Sequence, residues 1–146
     1  MKVIVVSGTP GTGKTRYAKR LAKEKNYLYI DINEFVLKQK IPYVYDRRRK
    51  AKAVDIFELK RKLISHLKKL SERGAVIDSH LAHYLPKRYV SLCIIMKCSI
   101  PKLKRRLKSR GYSEAKISEN VDAELFDVCF NEACDYVYFR TLGGEN

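Results

Sequence analysis

The sequence of 146 residues lacks any apolar run close to the roughly 20 residues that a membrane-spanning helix needs, which argues against an integral helical membrane protein. Seven glycines and four prolines are too few for a collagen-like or low-complexity chain. The apolar stretch before the first glycine is too short for the core of a secretory signal peptide. We therefore expect one globular domain over 1–146 that makes no membrane contact and stays in the cytoplasm.

The sequence also lacks a CxxC pair among its four cysteines. They lie at Cys93, Cys98, Cys129 and Cys134. Because the histidines are not spaced around them as in a zinc site, the pattern favours buried, uncharged thiols over a structural metal.

Acidic residues number 16 against 31 lysines and arginines, which gives a net charge of +15. The imbalance is local: segment 38–73 carries +9, six of the nine residues in 102–110 are basic, and segment 113–135 carries −6. Such a distribution predicts a polyanionic partner, either nucleotide phosphates or RNA. A solvated basic surface, as in heat-adapted proteins, is the alternative for the middle segment.

Hydrophobic periodicity predicts strands that alternate with helices. The predicted strands are 2–7, 27–32, 75–78, 91–97 and 136–140. The predicted helices are 14–25, 33–40, one capped by Asp55 and ended by Gly74, one with Pro101 in its first turn and ended by Gly111, and one that begins at Ser113 with Ile117, Val121, Leu125, Val128 and Cys129 facing inward. Segment 41–53 shows no period and is predicted to be a loop or weak helix. The alternation predicts an α/β fold with a five-stranded parallel sheet and helices on both faces.

The strongest motif is the run GTPGTGKT at 8–15, which fits GxxxxGK[ST] between an apolar strand and an amphipathic helix. Gly8, Gly11 and Gly13 allow the main chain to wrap closely around a phosphate, with successive amides pointing inward. Lys14 can reach the β- and γ-phosphates, and the Thr15 hydroxyl can ligate Mg²⁺. The motif therefore predicts an ATP site.

A second motif is Asp78-x-His80, at the end of predicted strand 75–78. Ligands of open α/β sheets collect at the carboxyl ends of the strands, where a carboxylate can hold Mg²⁺ through a water. His80 can orient a water or a phosphoryl acceptor, and a structural histidine in a loop is the alternative.

The third candidate is the pair Arg106 and Arg110, which share one helix face. Their guanidinium groups can close over a triphosphate and neutralise developing charge. Lys104 and Lys108 have the same spacing, so an exposed basic helix remains the alternative. The predicted catalytic residues are Lys14, Asp78, His80, Arg106 and Arg110; the predicted ATP-binding residues are Gly8, Pro10, Gly11, Thr12, Gly13, Lys14, Thr15, Arg16 and Arg106; the predicted Mg²⁺ ligands are Thr15 and Asp78.

Three stretches together, GTPGTGKT, GAVIDSHLAHYLP and RLKSRGYSEAKISENVDAE, resemble the adenylate kinase isoenzyme 6 family, which includes the coilin-interacting nuclear ATPase and its archaeal relatives. The resemblance implies a P-loop nucleoside monophosphate kinase fold, with a monophosphate-binding region at about 33–55 and a short lid at about 106–116. It also implies adenylate kinase and ATPase activity on ATP and AMP with Mg²⁺. A role in small ribosomal subunit maturation follows as well, through a ribosomal protein or pre-ribosomal RNA.

Two positions depart from the family pattern. Arg16 stands where a second hydroxyl residue is usual, and the usually acidic region around Asp46 reads Asp46-Arg47-Arg48-Arg49-Lys50. This basic run either strengthens capture of the AMP phosphate or directs the surface to ribosomal RNA. Three hypotheses follow: an AMP-phosphorylating enzyme, a ribosome-assembly ATPase, and a nucleotide-gated binding module with little turnover.

Overall fold

The computed structural model describes residues 1–47, 51–79, 85–129 and 139–143. Its strands are β1 (Lys2–Gly8), β2 (Leu28–Asp31), β3 (Tyr43–Asp46), β4 (Ala51–Val54), β5 (Gly74–Asp78), β6 (Leu92–Lys97) and β7 (Phe139–Gly143). Its α-helices are α1 (Lys14–Lys25), α2 (Ile32–Lys38), α3 (Ile56–Lys69), α4 (Ile100–Ser109) and α5 (Glu114–Leu125), with a short 3₁₀ helix at Lys87–Tyr89. No helix in these ranges has the length and apolarity needed to cross a bilayer.

Five strands form one parallel sheet in the order β2-β5-β1-β6-β7. The central strand is β1, where Val5 lies opposite Ile77 of β5 and Cys93 of β6. The carboxyl ends of β1 and β5 therefore lie side by side, with Val6 opposite Asp78. The predicted α/β class and parallel sheet are confirmed.

Helices cover both faces of this sheet, as the sequence predicts. Side chains alternate between the two faces of a strand, so neighbouring residues of β1 enter different cores. Val5 packs in a cluster that contains Leu59 of α3, whereas Val6 packs with Ala18 of α1. A third, smaller cluster joins α4 and α5 through Leu103, Leu107 and Val121.

Segment 41–53 differs from its prediction as a loop or weak helix, because it contains most of an antiparallel hairpin formed by β3 and β4. In this hairpin Tyr43 lies opposite Val54, and Tyr45 lies opposite Lys52. Aromatic and β-branched residues favour a strand at 43–45, but the basic residues that follow obscure the alternation in the sequence. Residues 48–50, between the two strands, lie outside the described residues.

Helix α3 begins as predicted but ends earlier. The Asp55 carboxylate accepts a hydrogen bond from the Glu58 amide at 3.1 Å, which caps the first turn. The helix ends at Lys69, whereas Gly74 begins β5. A Cβ at Gly74 would lie 2.6 Å from the Lys2 carbonyl oxygen and 2.7 Å from the Tyr27 ring. Close packing against the neighbouring strand and this ring, rather than helix termination, therefore requires the glycine.

Helices α4 and α5 follow their predicted starts. Pro101 lies in the first turn of α4, which ends at Ser109, two residues before Gly111. The Ser113 hydroxyl caps α5 by accepting a hydrogen bond from the Lys116 amide at 3.2 Å. These caps are local, which is why the sequence locates them correctly.

The inward face of α5 is only partly as predicted. Val121 is buried and Ile117 packs beside it, but Leu125 and Val128 are exposed. The helix ends at Leu125, and the acidic Glu124 takes the buried position instead. Cys129 is half-buried and packs against the core cluster that contains Leu59 of α3.

Two of the cysteines that were predicted to be buried, Cys93 and Cys98, lie in or directly after β6. Cys93 and Cys98 are buried free thiols, as expected, and burial raises the pKa of Cys93 to about 12. Cys134 lies outside the described residues. Among the described residues, the last strand covers 139–140 of the prediction and continues to Gly143; residues 136–138 lie outside the described residues.

Candidate functional site

The P-loop, which is the GTPGTGKT motif at 8–15, connects the carboxyl end of β1 to the first turn of α1. Thr12 closes its turn, since its hydroxyl donates to the Thr9 carbonyl at 2.7 Å and its amide donates to the same oxygen at 3.2 Å. Gly13 is the N-cap of α1 and has no side chain to bond the first-turn amides. These amides, at the positive end of the helix dipole, are therefore available to an anion.

Lys14 and Asp78, two of the predicted site residues, lie close together at the carboxyl end of the sheet beside this loop. The Lys14 Nζ lies 3.9 Å from Asp78 Oδ1, and the two side chains are 15% and 4% exposed. Asp78 ends β5, and the next amide, of Ser79, donates to the Val6 carbonyl at 3.0 Å. The carboxylate is thus held beside the start of α1.

Tyr29 is a site residue that the sequence analysis missed. Its hydroxyl donates to Asp78 Oδ2 at 2.7 Å. Burial and this hydrogen bond raise the pKa of Tyr29 well above its usual value, so the phenol keeps its proton and remains a donor. The only signal in the sequence was its place in an apolar strand, since the contact depends on the register between β2 and β5.

Arg106 reaches the P-loop from α4. Its Nη1 donates to the Gly11 carbonyl at 2.9 Å and lies 3.8 Å from the Cys98 sulfur. A Cβ at Gly13 would lie 3.8 Å from the same nitrogen. The guanidinium group is therefore next to the loop where the sequence places the triphosphate.

Three of the other predicted site residues are exposed. Thr15 and Arg16 are exposed in the first turn of α1. Arg110 is exposed at the end of α4, and within the described ranges it has no hydrogen bond or ion pair to the P-loop. His80 lies outside the described residues, as do His83 and Tyr84.

A second group that the sequence analysis missed lies where β6 ends. Lys97 Nζ donates to Glu124 Oε1 at 2.6 Å and also pairs with Asp127. The other Glu124 oxygen, Oε2, accepts from the Cys98 amide at 3.2 Å. Burial alone would lower the pKa of Lys97, but hydrogen bonds to Asp127 and Glu124 outweigh it and raise the pKa. The cluster ties α5 to the strand next to β1.

The oxygen donors beside the P-loop suit a magnesium ion. Mg²⁺ prefers carboxylate and hydroxyl oxygens and usually binds through one or two protein groups together with phosphates and water. Asp78 and Thr15 supply such groups, and the part of the chain that the structure describes has no cluster of three or more His, Cys, Asp or Glu side chains. The donor set therefore suits a magnesium ion that arrives with a nucleotide.

Comparison with known proteins extends these observations. A family model described as an AAA domain matches residues 4–127. A Methanosarcina acetivorans protein named "Putative adenylate kinase" is 35% identical over 144 residues, which cover 93% of this chain and 75% of that protein. The "Adenylate kinase isoenzyme 6 homolog" of Caenorhabditis elegans is 32% identical over 133 residues, or 89% of this chain and 71% of that protein.

A solved structure agrees with the fold. Deoxyadenosine kinase from M. mycoides with bound dATP matches with a TM-score of 0.61 at 15% identity, over 100% of this chain and 92% of that one. This similarity shows the P-loop kinase fold alone. Since the sequence relatives exceed 30% identity over most of both chains, the resemblance noted in the motifs is confirmed, and the chain belongs to the adenylate kinase isoenzyme 6 family.

Proposed function

We propose that the chain transfers the γ-phosphoryl group of ATP to AMP, giving two molecules of ADP, and hydrolyses ATP slowly when AMP is absent. The observation that carries this proposal is the P-loop, with uncapped α1 amides and Lys14 Nζ 3.9 Å from the buried Asp78. Relatives named as adenylate kinases support the choice of AMP as acceptor.

In this proposal, ATP is bound by the main chain of the P-loop and by the adjacent cationic side chains. The amides of Gly11, Gly13 and Lys14 donate to phosphate oxygens, and the helix dipole adds favourable potential. Lys14 bridges the β- and γ-phosphates, and Arg106, already beside Gly11, approaches from the α4 side. Gly8, Pro10, Thr12 and Arg16 complete the proposed contacts, the last through its backbone amide.

Mg²⁺ bound with the nucleotide supplies neutralisation of the β- and γ-phosphate charge. Thr15, through its hydroxyl, and Asp78, through a water, are the residues that would hold it. Without the ion, the side-chain cations that the proposal places on these oxygens are those of Lys14 and Arg106.

The transfer step is a displacement at the γ-phosphorus. A phosphate oxygen of AMP attacks in line, and the bond from phosphorus to the β–γ bridging oxygen breaks, with its electron pair leaving on ADP. Lys14 and Arg106 stabilise the charge on the transferred group, so catalysis is mostly electrostatic. Region 33–55, which contains most of α2 and the β3–β4 hairpin, holds AMP; Arg110 and the rest of 106–116 act as the lid.

Hydrolysis uses the same site with water as the nucleophile. His80, two residues beyond Asp78 in the sequence, orients this water or the acceptor. His80→Gly is therefore expected to impair both activities and leave nucleotide binding nearly intact. A variant with wild-type turnover of ATP and AMP would refute this role.

The central test is product formation by the purified chain. ADP is measured by chromatography with ATP and Mg²⁺ alone, and then with AMP added. The proposal expects ADP formation to rise strongly with AMP, with two ADP formed per AMP consumed. A rate of ADP formation that does not change when AMP is added would contradict the kinase assignment and indicate an ATPase.

The surface of segment 38–73 favours a second candidate function. This candidate is a ribosome-assembly ATPase or nucleotide switch that acts on a small-subunit ribosomal protein or pre-ribosomal RNA. This segment carries +9, and the hairpin exposes Tyr43 and Tyr45 at 45% and 53%. Basic side chains interleaved with exposed aromatic rings are typical of surfaces that bind single-stranded nucleic acid.

The second candidate predicts RNA affinity that depends on salt. Binding of a single-stranded small-subunit RNA fragment is followed by fluorescence anisotropy over a range of salt concentrations, with and without ATP. The log–log slope should be about −0.7 for each phosphate contacted. ATPase activity should rise in the presence of the RNA or the ribosomal protein. No binding at the lowest salt and no stimulation would rule this candidate out.

A further inference from the structure

Tyr29 lies on the edge strand β2, opposite Val76 of β5. Residues two apart on a strand share a face, so Asp78 and Val76 both face α1. The Tyr29 ring packs in the core on that face, with Lys19 Nζ of α1 5.6 Å from the ring centre. The ring is therefore held by neighbours on both the sheet and the helix, and its hydroxyl points along the sheet toward Asp78.

The two carboxylate oxygens of Asp78 have different partners. Oδ2 accepts from Tyr29 at 2.7 Å, whereas Oδ1 lies 3.9 Å from Lys14 Nζ. A distance of 3.9 Å is too long for a hydrogen bond, so Lys14 and Asp78 are near each other without being locked together. The tyrosine thus fixes the rotation of a buried carboxylate.

We propose that Tyr29 is a positioning residue for the nucleotide site, because its hydroxyl anchors Asp78 Oδ2, keeps Oδ1 out of hydrogen-bonding distance of Lys14 and so leaves that oxygen to the magnesium–nucleotide. This inference rests on the proposed function, since it concerns the same site. Nothing else among the described contacts of Asp78 holds Oδ2 through a side chain.

The consequence of losing the hydroxyl follows from electrostatics. In a buried setting the attraction between Lys14 and Asp78 is weakly screened, so a carboxylate that is free to rotate closes on the ammonium group. The Lys14 ammonium and the Asp78 carboxylate then pair with each other instead of binding the phosphates and the magnesium. The loss should therefore appear in the magnesium-dependent part of ATP binding.

Tyr29→Phe removes the hydroxyl and keeps the ring. Titration calorimetry measures ATP affinity with Mg²⁺ and with a chelator, and the ratio of the two is the magnesium gain. We expect Tyr29→Phe to reduce this gain by about tenfold, the size of a hydrogen bond to a charged group. The turnover number should fall by a similar factor with little change in the KM for AMP.

Tyr27→Phe is the matched control, because Tyr27 packs in the same core beside Gly74, away from Asp78. It should leave the magnesium gain unchanged. In an Asp78→Asn background, Tyr29→Phe should have no further effect on the gain, since the tyrosine acts through the carboxylate. An equal loss in both backgrounds would overturn the inference.

The outcomes separate this inference from the proposed function. If the wild type transfers phosphate to AMP and Tyr29→Phe retains the full magnesium gain, only the role of Tyr29 is refuted. If the wild type forms no AMP-dependent ADP, the kinase assignment fails, but calorimetry still decides the role of Tyr29. A wild-type ATP affinity that does not respond to Mg²⁺ also overturns the inference.

Discussion

Arg106 of α4 and Gly11 of the P-loop, 95 residues apart in the chain, are joined by a hydrogen bond of 2.9 Å from Nη1 to the main-chain oxygen. Leu103 and Leu107 pack around the same glycine, because a Cβ there would lie 2.9 Å and 3.1 Å from their methyl groups. The basic helix therefore forms a wall of the proposed phosphate site.

The close approach at Gly11 gives the first prediction. Gly11 has a φ of +94°, and Gly111 has a φ of +79° with no atom within 4 Å of the point that a Cβ would occupy. Gly111→Ala should lower the free energy of unfolding by about 1–2 kcal/mol through backbone strain alone. Gly11→Ala adds the clash with α4, which costs about 1–3 kcal/mol more, and should abolish ATP binding.

Urea unfolding and ATP titration on the two variants check this prediction. The pair shares the backbone strain and differs in the space available, so their difference reports the packing of α4 on the P-loop. Equal destabilisation, or ATP binding by Gly11→Ala at wild-type affinity, would contradict it.

Arg106 carries the second prediction. Lysine keeps the charge but loses the planar fork that can bond the Gly11 carbonyl and a phosphate together. Arg106→Lys should therefore lower kcat for ADP formation by about tenfold or more. Arg105→Lys, the exposed neighbour on the same helix, should change kcat by less than about twofold. Steady-state kinetics on both variants decide the point, and similar effects of the two substitutions would refute a specific role for Arg106.

Lys14→Ala gives the third prediction. Removal of the ammonium group takes away the side-chain cation nearest Asp78, and both AMP-dependent transfer and ATP hydrolysis should fall by on the order of 100-fold or more. Lys23→Ala, at an exposed position later in α1, serves as the control for the loss of one charge. ADP chromatography measures both activities. A Lys14→Ala enzyme within a few-fold of wild type would remove Lys14 from the mechanism.

Local patterns explain which parts of the molecule were predictable from the sequence. The P-loop and the Asp55 cap depend on residues that are near each other in the chain, so spacing alone locates them. Asp78 was predicted to be a site residue because it ends an apolar strand. The meeting of Lys14 with Asp78 then follows from the topology of a parallel sheet.

Contacts set by register and tertiary packing were not predictable. Tyr29 reaches Asp78 only because β2 pairs with β5 in one register, which no periodicity reveals. Glu124 resembles an exposed residue of an acidic helix until Lys97 and the Cys98 amide are placed beside it. The exposed Leu125 shows the same limit, because a helical face defined by apolar spacing assigned it to the core in place of Glu124.

The Lys97–Glu124 pair supports the last prediction. Glu124→Gln removes the buried charge that faces Lys97 and should lower the free energy of unfolding near neutral pH by roughly 1.5 kcal/mol, the low end for a hydrogen bond to a charged group, because Lys97 keeps its pair with Asp127. Glu119→Gln, exposed on the same helix, should change it by less than about 0.5 kcal/mol.

The same pair predicts a dependence on alkaline pH. Hydrogen bonds to Asp127 and Glu124 raise the pKa of Lys97 above its usual value of 10.5 in the folded state, despite the opposing effect of burial. A raised folded-state pKa contributes stability that is fully present below the unfolded-state pKa and is lost as the pH rises through the folded-state value. Urea unfolding above about pH 10.5 should therefore show a steeper loss of stability for Glu119→Gln than for Glu124→Gln. Parallel pH profiles of the two variants would show that the cluster does not hold the lysine proton.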